Sequence, residues 1–287
     1  MHMKCLVATR VQNEEETVRK AYYRLLSNPI QTRIQNGRDR FEAVNRAYEF
    51  LCSRSSWASQ GPNPDNIVLI LRTQSILFHR YSEELHPYKY AGYPQLIKTI
   101  QLETADDQLF SKSAPLLAAA SELAYHTVHC SALNAEELRR ERGLDVLLDA
   151  YSRCVSVLSM SSKASDVSVQ VCTHITRCFG VAAQFQGCRD KMVEMPQLVK
   201  DVCRILYFKH LIRLCAVATE CVSALAVDGI LQMQLLQAGA LWHLLFFMFK
   251  YDFTLEEGGV ERSEDANQQV NIFSYLSKIF KKHFAPL

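Results

Sequence analysis

The sequence has few turn formers, with 10 glycines and 8 prolines among 287 residues. An all-β domain needs a turn about every 8–12 residues, so that class is excluded. No Cys-x-x-Cys occurs. The ten cysteines, clustered most closely at Cys172, Cys178, Cys188 and at Cys203, Cys215, Cys221, have no zinc-finger spacing, and no bound metal is expected. They stand beside Val, Leu and Ala inside helical patterns, where a thiol acts as a small apolar filler, and this usage fits a reducing compartment. An excess of charge is also missing: the net charge is +2, too balanced for a dedicated nucleic-acid binder. The longest apolar run, Ala238 to Phe249, is broken by His243 and falls short of the roughly 18 residues of a membrane span. Met1 to Thr9 carries few apolar residues before Glu14-Glu15-Glu16, so no secretory signal is read and a soluble protein is expected. There is no Gly-rich phosphate loop, Gly-x-Ser-x-Gly elbow or His-Glu-x-x-His, so neither an enzyme nor a cofactor is expected.

What is present is helical periodicity. Val18, Ala21, Tyr22 and Leu25 fall on one face of a short helix, with Arg19, Lys20 and Arg24 opposite. A second helix, from about Asp39 to Cys52, places Phe41, Val44, Tyr48 and Leu51 together. The turn formers Asn28-Pro29 and Asn36-Gly37 bound the connection, so 14–52 reads as an antiparallel helical hairpin with those apolar residues as its core. Ser53 to Asn66 reads as a linker. Ile67 to Phe78 is apolar and reads equally as strand or helix, and His86 to Pro94 is a Pro/Tyr-rich loop; the whole of 53–115 is taken as linker and irregular segment.

From about Leu116 to residue 270 the pattern is helical and repeats. An apolar helix, a small polar loop and a short charged helix precede each of three further helix starts. Taking Val146, Leu198 and Leu241 as equivalent gives spacings of 52 and 43 residues, near the roughly 40–47 of armadillo and HEAT units. Two of the starts carry a Gly-x-x-Leu-like signature around Gly143 and Gly239. Such units cannot bury their apolar faces alone and must stack. The expected fold class is mainly α: a helical hairpin, then an armadillo/HEAT-like α-solenoid of about three units. His126, His129 and Cys130 lie within one or two turns, without an evident fourth metal ligand. Trp242, Phe246, Phe247 and Phe249 have the spacing of core between stacked repeats, with a partner groove as the other reading.

The hairpin carries a resemblance. Val18-Arg19-Lys20-Ala21-Tyr22-Tyr23-Arg24-Leu25 resembles helix II of a DnaJ-type J domain, and Phe41 to Leu51 resembles helix III. In that family the basic face of helix II and a His-Pro-Asp tripeptide in the loop dock on a seventy-kilodalton heat-shock chaperone and stimulate its ATPase. The resemblance implies chaperone-binding roles for Arg19, Lys20 and Arg24. The tripeptide is missing: the loop reads Ile30-Gln31-Thr32-Arg33-Ile34-Gln35, and Ile30, Gln31 and Thr32 mark the degenerate site. Those six residues can be encoded ATC CAG ACA AGA ATC CAG. With a preceding C and a following AA, the same bases read in a shifted register give His-Pro-Asp-Lys-Asn-Pro-Glu, a typical J-domain loop. Two compensating frame changes account for the departure, and ATPase stimulation by this chain is not expected.

The stretches Asn66 to Phe78, Pro87 to Pro94 and Cys130 to Glu141 are similar to the large endosomal J-domain co-chaperones of receptor-mediated endocytosis, and the resemblance runs from about Glu16 to Gln269. It implies a cytoplasmic protein peripheral to early endosomes. There it would recruit the heat-shock chaperone for clathrin uncoating and membrane-protein sorting, with sorting nexins as partners, no nucleic acid, and only indirect membrane association. Met1 to Asn13 lacks a recognisable helix I, and the tail 271–287 departs from the family, its Lys281, Lys282 and His283 lying among Phe280 and Phe284. The competing expectation is a non-catalytic solenoid scaffold whose hairpin is only structural.

Overall fold

The computed structural model describes residues 64–107, 109–110, 114–249 and 274. The expected hairpin over 14–52 lies outside the described residues, as do 250–270 and, apart from the helical and exposed Ser274, the tail 271–287. The chain divides into two units, 1–73 and 74–287.

Among the described residues every regular element is a helix: α1 (Pro64–Arg80), α2 (Ser82–Leu85), α3 (Tyr93–Ala105), α4 (Pro115–Cys130), α5 (Ala132–Arg140), α6 (Gly143–Ser156), α7 (Val167–Ala182), α8 (Gln186–Val193), α9 (Pro196–Ile205), α10 (Ile212–Leu225), α11 (Gly229–Gln237) and α12 (Ala240–Phe249). The expectation of a linker and irregular segment over 53–115 is corrected: its described part is mostly helix, in α1, α2 and α3. The apolar stretch Ile67 to Phe78 falls wholly within α1. The expected Pro/Tyr-rich loop keeps Pro87 in the non-helical stretch between α2 and α3, but its last proline opens a helix instead. Pro94 sits at the start of α3, where a missing N–H costs nothing, as Pro115 and Pro196 do in α4 and α9.

The helices follow a long, short, long order that repeats. Ser131 begins α5 by accepting the Asn134 N–H, and Asp228 begins α11 by accepting those of Ile230 and Leu231. Helices of the same rank then stack in three rows. In one row α4 packs on α7 and α7 on α10; in another α5 packs on α8 and α8 on α11. The third row holds α3 on α6 and α6 on α9. This is the geometry of an α-solenoid, with each unit closed by its neighbour.

The first and third units turn differently from the sequence signature. Gly239, immediately before α12, adopts φ 79°, the left-handed conformation that glycine tolerates. The same place before α6 is held by Arg142 at φ 60°, and Gly143 is the first residue of the helix. Gly143 is therefore required for space: a Cβ there would lie 2.2 Å from Leu138 Cδ1 and 3.0 Å from the Leu138 carbonyl oxygen. Leu138 is buried, so relief requires α5 and α6 to separate. Gly143→Ala is expected to lower unfolding free energy by about 1–3 kcal/mol, measured by urea denaturation. A variant as stable as the parent would show that this turn does not hold the two helices together.

The core between rows is built from small residues on α4, α7 and α10. Ala119, Ala120 and Ala124 are buried on α4, and on α7 Gly180 brings the backbone of α10 close, with a Cβ meeting Cys221 Cα at 3.4 Å. The eight cysteines among the described residues are buried free thiols, matching their reading as apolar filler. Burial pushes them up, to about 11 for Cys188 and about 12 for Cys154, Cys203 and Cys215, so the nucleophilic thiolate is scarce.

Buried hydroxyl pairs recur along the stack. Tyr93 of α3 donates to Thr127 of α4 at 2.9 Å, and Tyr151 of α6 pairs with Thr176 of α7 at 2.9 Å. Arg153 of α6 donates to the carbonyls of Thr104 and Asp106, satisfying acceptors at the C-terminus of α3. Buried Asp201 of α9 accepts from Ser152 Oγ at 2.5 Å and from Gln197 Nε2 at 2.9 Å, fixing α9 to α6.

Candidate functional site

Arg19, Lys20, Arg24, Ile30, Gln31 and Thr32 lie outside the described residues. Of the trio on α4, His126 and His129 share the outer face, whereas the buried Cys130 points away and its thiol donates to the Ser82 carbonyl at 3.3 Å. The three do not converge. Among the described residues no group of three or more His, Cys, Asp or Glu side chains is arranged to hold a metal ion.

The structure instead assembles a histidine column across successive helices. His79, at the end of α1, has its ring centroid 5.1 Å from that of His126. Tyr125 lies beside them, 4.8 Å from His126 and 5.6 Å from His129. From α7, the exposed Arg177 places its guanidinium 5.7 Å from the Tyr125 ring centre. His174, also on α7, is partly buried, and its Nδ1 is enclosed without a hydrogen-bond partner.

Burial pushes the His126 imidazole down to about 4, and the positive forms of His79 and His129 and the Arg177 guanidinium push in the same direction. Burial likewise brings His174 to about 4, reinforced by Arg177 and His126. Burial raises Tyr125, with Arg177 opposing the rise and Glu220 of α10 adding to it. At neutral pH His126 and His174 are thus uncharged imidazoles beside a fixed cation. Sequence reasoning isolated only His126 and His129 because it searched within one helix. The missed signal was the spacing of His79, His126 and His174, 47 and 48 residues apart, close to one repeat.

A second feature lies at α12. Trp242 is 79% exposed and Phe249 83%, whereas Phe247 is buried. The Lys209 ammonium sits 3.2 Å from the Phe246 ring centre, and Tyr207 meets His243 edge-on at 6.4 Å. The aromatic group read as core is therefore split between core and surface. No single described helix is long and apolar enough to cross a membrane. The apolar pair α11 and α12 is bent by 79° and buries Leu231, Leu235 and Leu244.

The DnaJ homolog subfamily C protein GRV2 of Arabidopsis thaliana is 33% identical over 268 residues, 93% of this chain. The chain is a relative of a DnaJ subfamily C protein. It spans about a tenth of the length of that curated relative. No family model matches, and no solved structure matches.

Proposed function

We propose that the chain is a segment of a DnaJ-type co-chaperone of the endosomal kind represented by DnaJ homolog subfamily C member 13, and that it has no enzymatic activity of its own. The observation that carries this reading is the 33% identity to a DnaJ subfamily C protein over 93% of the chain. The residues outside that match are too few to exclude the whole of 14–52, so the relationship reaches into the proposed J-domain hairpin as well as the helical repeats. In this reading Arg19, Lys20 and Arg24 face a seventy-kilodalton heat-shock chaperone. The repeats form a protein-binding surface and spacer at early endosomes, serving clathrin uncoating and membrane-protein sorting alongside sorting nexins.

Loss of the His-Pro-Asp tripeptide removes the part of the J domain that triggers hydrolysis, so the native chain is expected to leave the chaperone ATPase at its basal rate. The combined substitution Ile30→His, Gln31→Pro, Thr32→Asp is expected to raise single-turnover ATP hydrolysis several-fold, and adding Arg24→Ala is expected to cancel that rise. A second reading is favoured by the continuous stack α3–α12: a solenoid scaffold whose N-terminal hairpin is only structural. If the restored chain neither binds the chaperone in a pull-down nor stimulates it, the scaffold reading replaces the co-chaperone one.

A further inference from the structure

We propose that residues 271–282 of this chain form a helix that closes the open end of the stack by packing its apolar side on α12. The seam it fills recurs along the third row. Leu147, Tyr151 and Cys154 lie at i, i+4 and i+7 on α6. Val199 and Cys203 on α9, with Leu206 at its end, repeat that spacing, and so do Trp242, Phe246 and Phe249 on α12. The first two triplets are at most 3% exposed throughout. On α12 the outer two residues are 79% and 83% exposed, and Phe246 between them is partly exposed under the Lys209 ammonium.

Chain order names the occupant. The seam on α6 is filled by α7, the next long helix along the chain: Tyr151 meets the Phe179 ring and the Thr176 hydroxyl. On α9 that place belongs to α10, again the next long helix, and Cys203 lies close enough to Cys221 of α10 to act on its thiol. For α12 the corresponding segment lies within 250–287, which belongs to the same compact unit. One stretch there has the required pattern. Ile272, Phe273, Leu276, Ile279 and Phe280 share one side of a helix, and Asn271, Ser274, Ser277, Lys278 and Lys281 share the other. Ser274, in the middle of the polar side, is helical and exposed. Reach is not limiting, because residues 250–270 can span about 60 Å when extended, against about 15 Å for the length of α12. A solenoid end also needs a polar outer face, and α12 carries no Asp, Glu, Lys or Arg to supply one. Lys278 and Lys281 on the far side of the added helix would provide it.

Trp242 reports the contact once Trp57, the other tryptophan, is replaced by Phe. In the full 287-residue chain carrying Trp57→Phe, Trp242 is expected to emit at short wavelength and to be quenched weakly by acrylamide. Adding Leu276→Asp with Phe280→Asp on the apolar side should shift the emission to the red and raise the quenching constant severalfold. Ser274→Asp with Ser277→Asp on the polar side should leave both unchanged. Circular dichroism checks that the variants keep the helical stack. If the apolar pair fails to fold, amide hydrogen exchange of the native chain takes its place, and 271–282 must be protected about as well as α12. Trp242 quenched in the native chain as freely as a tryptophan amide in solution, equal effects of the two substitution pairs, or fast exchange throughout 271–282 would overturn the proposal. Protection lost on dilution, with a dimer seen by light scattering, would overturn it in favour of a second copy on the seam. Protection that arises only when phosphatidylserine vesicles are added would overturn it in favour of a membrane surface.

Discussion

Phe179→Ala is expected to lower the free energy of unfolding by about 3–5 kcal/mol, the largest loss from a single side chain in the described stack. Phe179 is fully buried on α7, and α7 packs against α4, α6 and α10. Its ring lies 6.2 Å from that of Tyr151 at an angle of 60°, so truncation empties the space between two repeats and leaves the Tyr151 ring without its neighbour. The surroundings cannot collapse into the void easily. Gly180 already brings α7 against Cys221 of α10, and Tyr151 is tied to Thr176 through its hydroxyl. Phe179→Leu, which restores most of the volume, should cost less than about 1.5 kcal/mol. Urea denaturation at pH 7.5 measures both. Repeat proteins lose cooperativity when a central interface fails, so a fall in the denaturant slope for the alanine variant is also expected. If the alanine variant stays within 1 kcal/mol of the parent, α7 is not the keystone of the stack.

The repeat was readable because its local signals agree. The apolar stretches Leu123 to Cys130, Val169 to Ala183 and Cys215 to Val227 coincide closely with parts of α4, α7 and α10, and the short segments after them became α5, α8 and α11, although α11 carries no charged residue. Val146, Leu198 and Leu241 all fall in the first turns of α6, α9 and α12. Two things were hidden for physical reasons. Pro94 and the tyrosines around it look like loop chemistry, yet a proline in the first helical turn is compatible with the helix that follows, and the Tyr93 hydroxyl finds a buried partner on another element. The histidine column was hidden because its members are distant in sequence and meet only when whole repeats stack. The glycine signature, conversely, was one pattern with two causes: left-handed backbone at Gly239, crowding by Leu138 at Gly143. The hairpin residues that carry the chaperone reading are legible only through resemblance, and their structural account lies outside the described residues.

Acidification should destabilise the stack before most carboxylates titrate. His126 and His174 are both held down to about 4 in the folded chain, chiefly by burial, against an ordinary value of 6.5. The sign follows from proton binding. Above pH 6.5 both states carry neutral imidazoles and the two residues add no pH dependence. Below pH 6.5 the unfolded chain takes up protons that the folded chain refuses until about pH 4, so stability falls throughout that window. For the more enclosed His174 the loss between pH 7.5 and pH 5 is about 2 kcal/mol, and for His126 about 1 kcal/mol after discounting its solvent-exposed side. Together they should lower the unfolding free energy by about 2–3 kcal/mol, read from urea midpoints across the range. Because both protons would enter beside Arg177, the α4–α7 contact should open first, and amide hydrogen exchange in those helices should accelerate ahead of α9. His126→Gln with His174→Gln removes the titrating groups and should flatten the profile between pH 6.5 and pH 5. A profile unchanged by that pair would assign the acid sensitivity to groups elsewhere in the chain, and the enclosure of the His174 ring between the repeats would then be wrong.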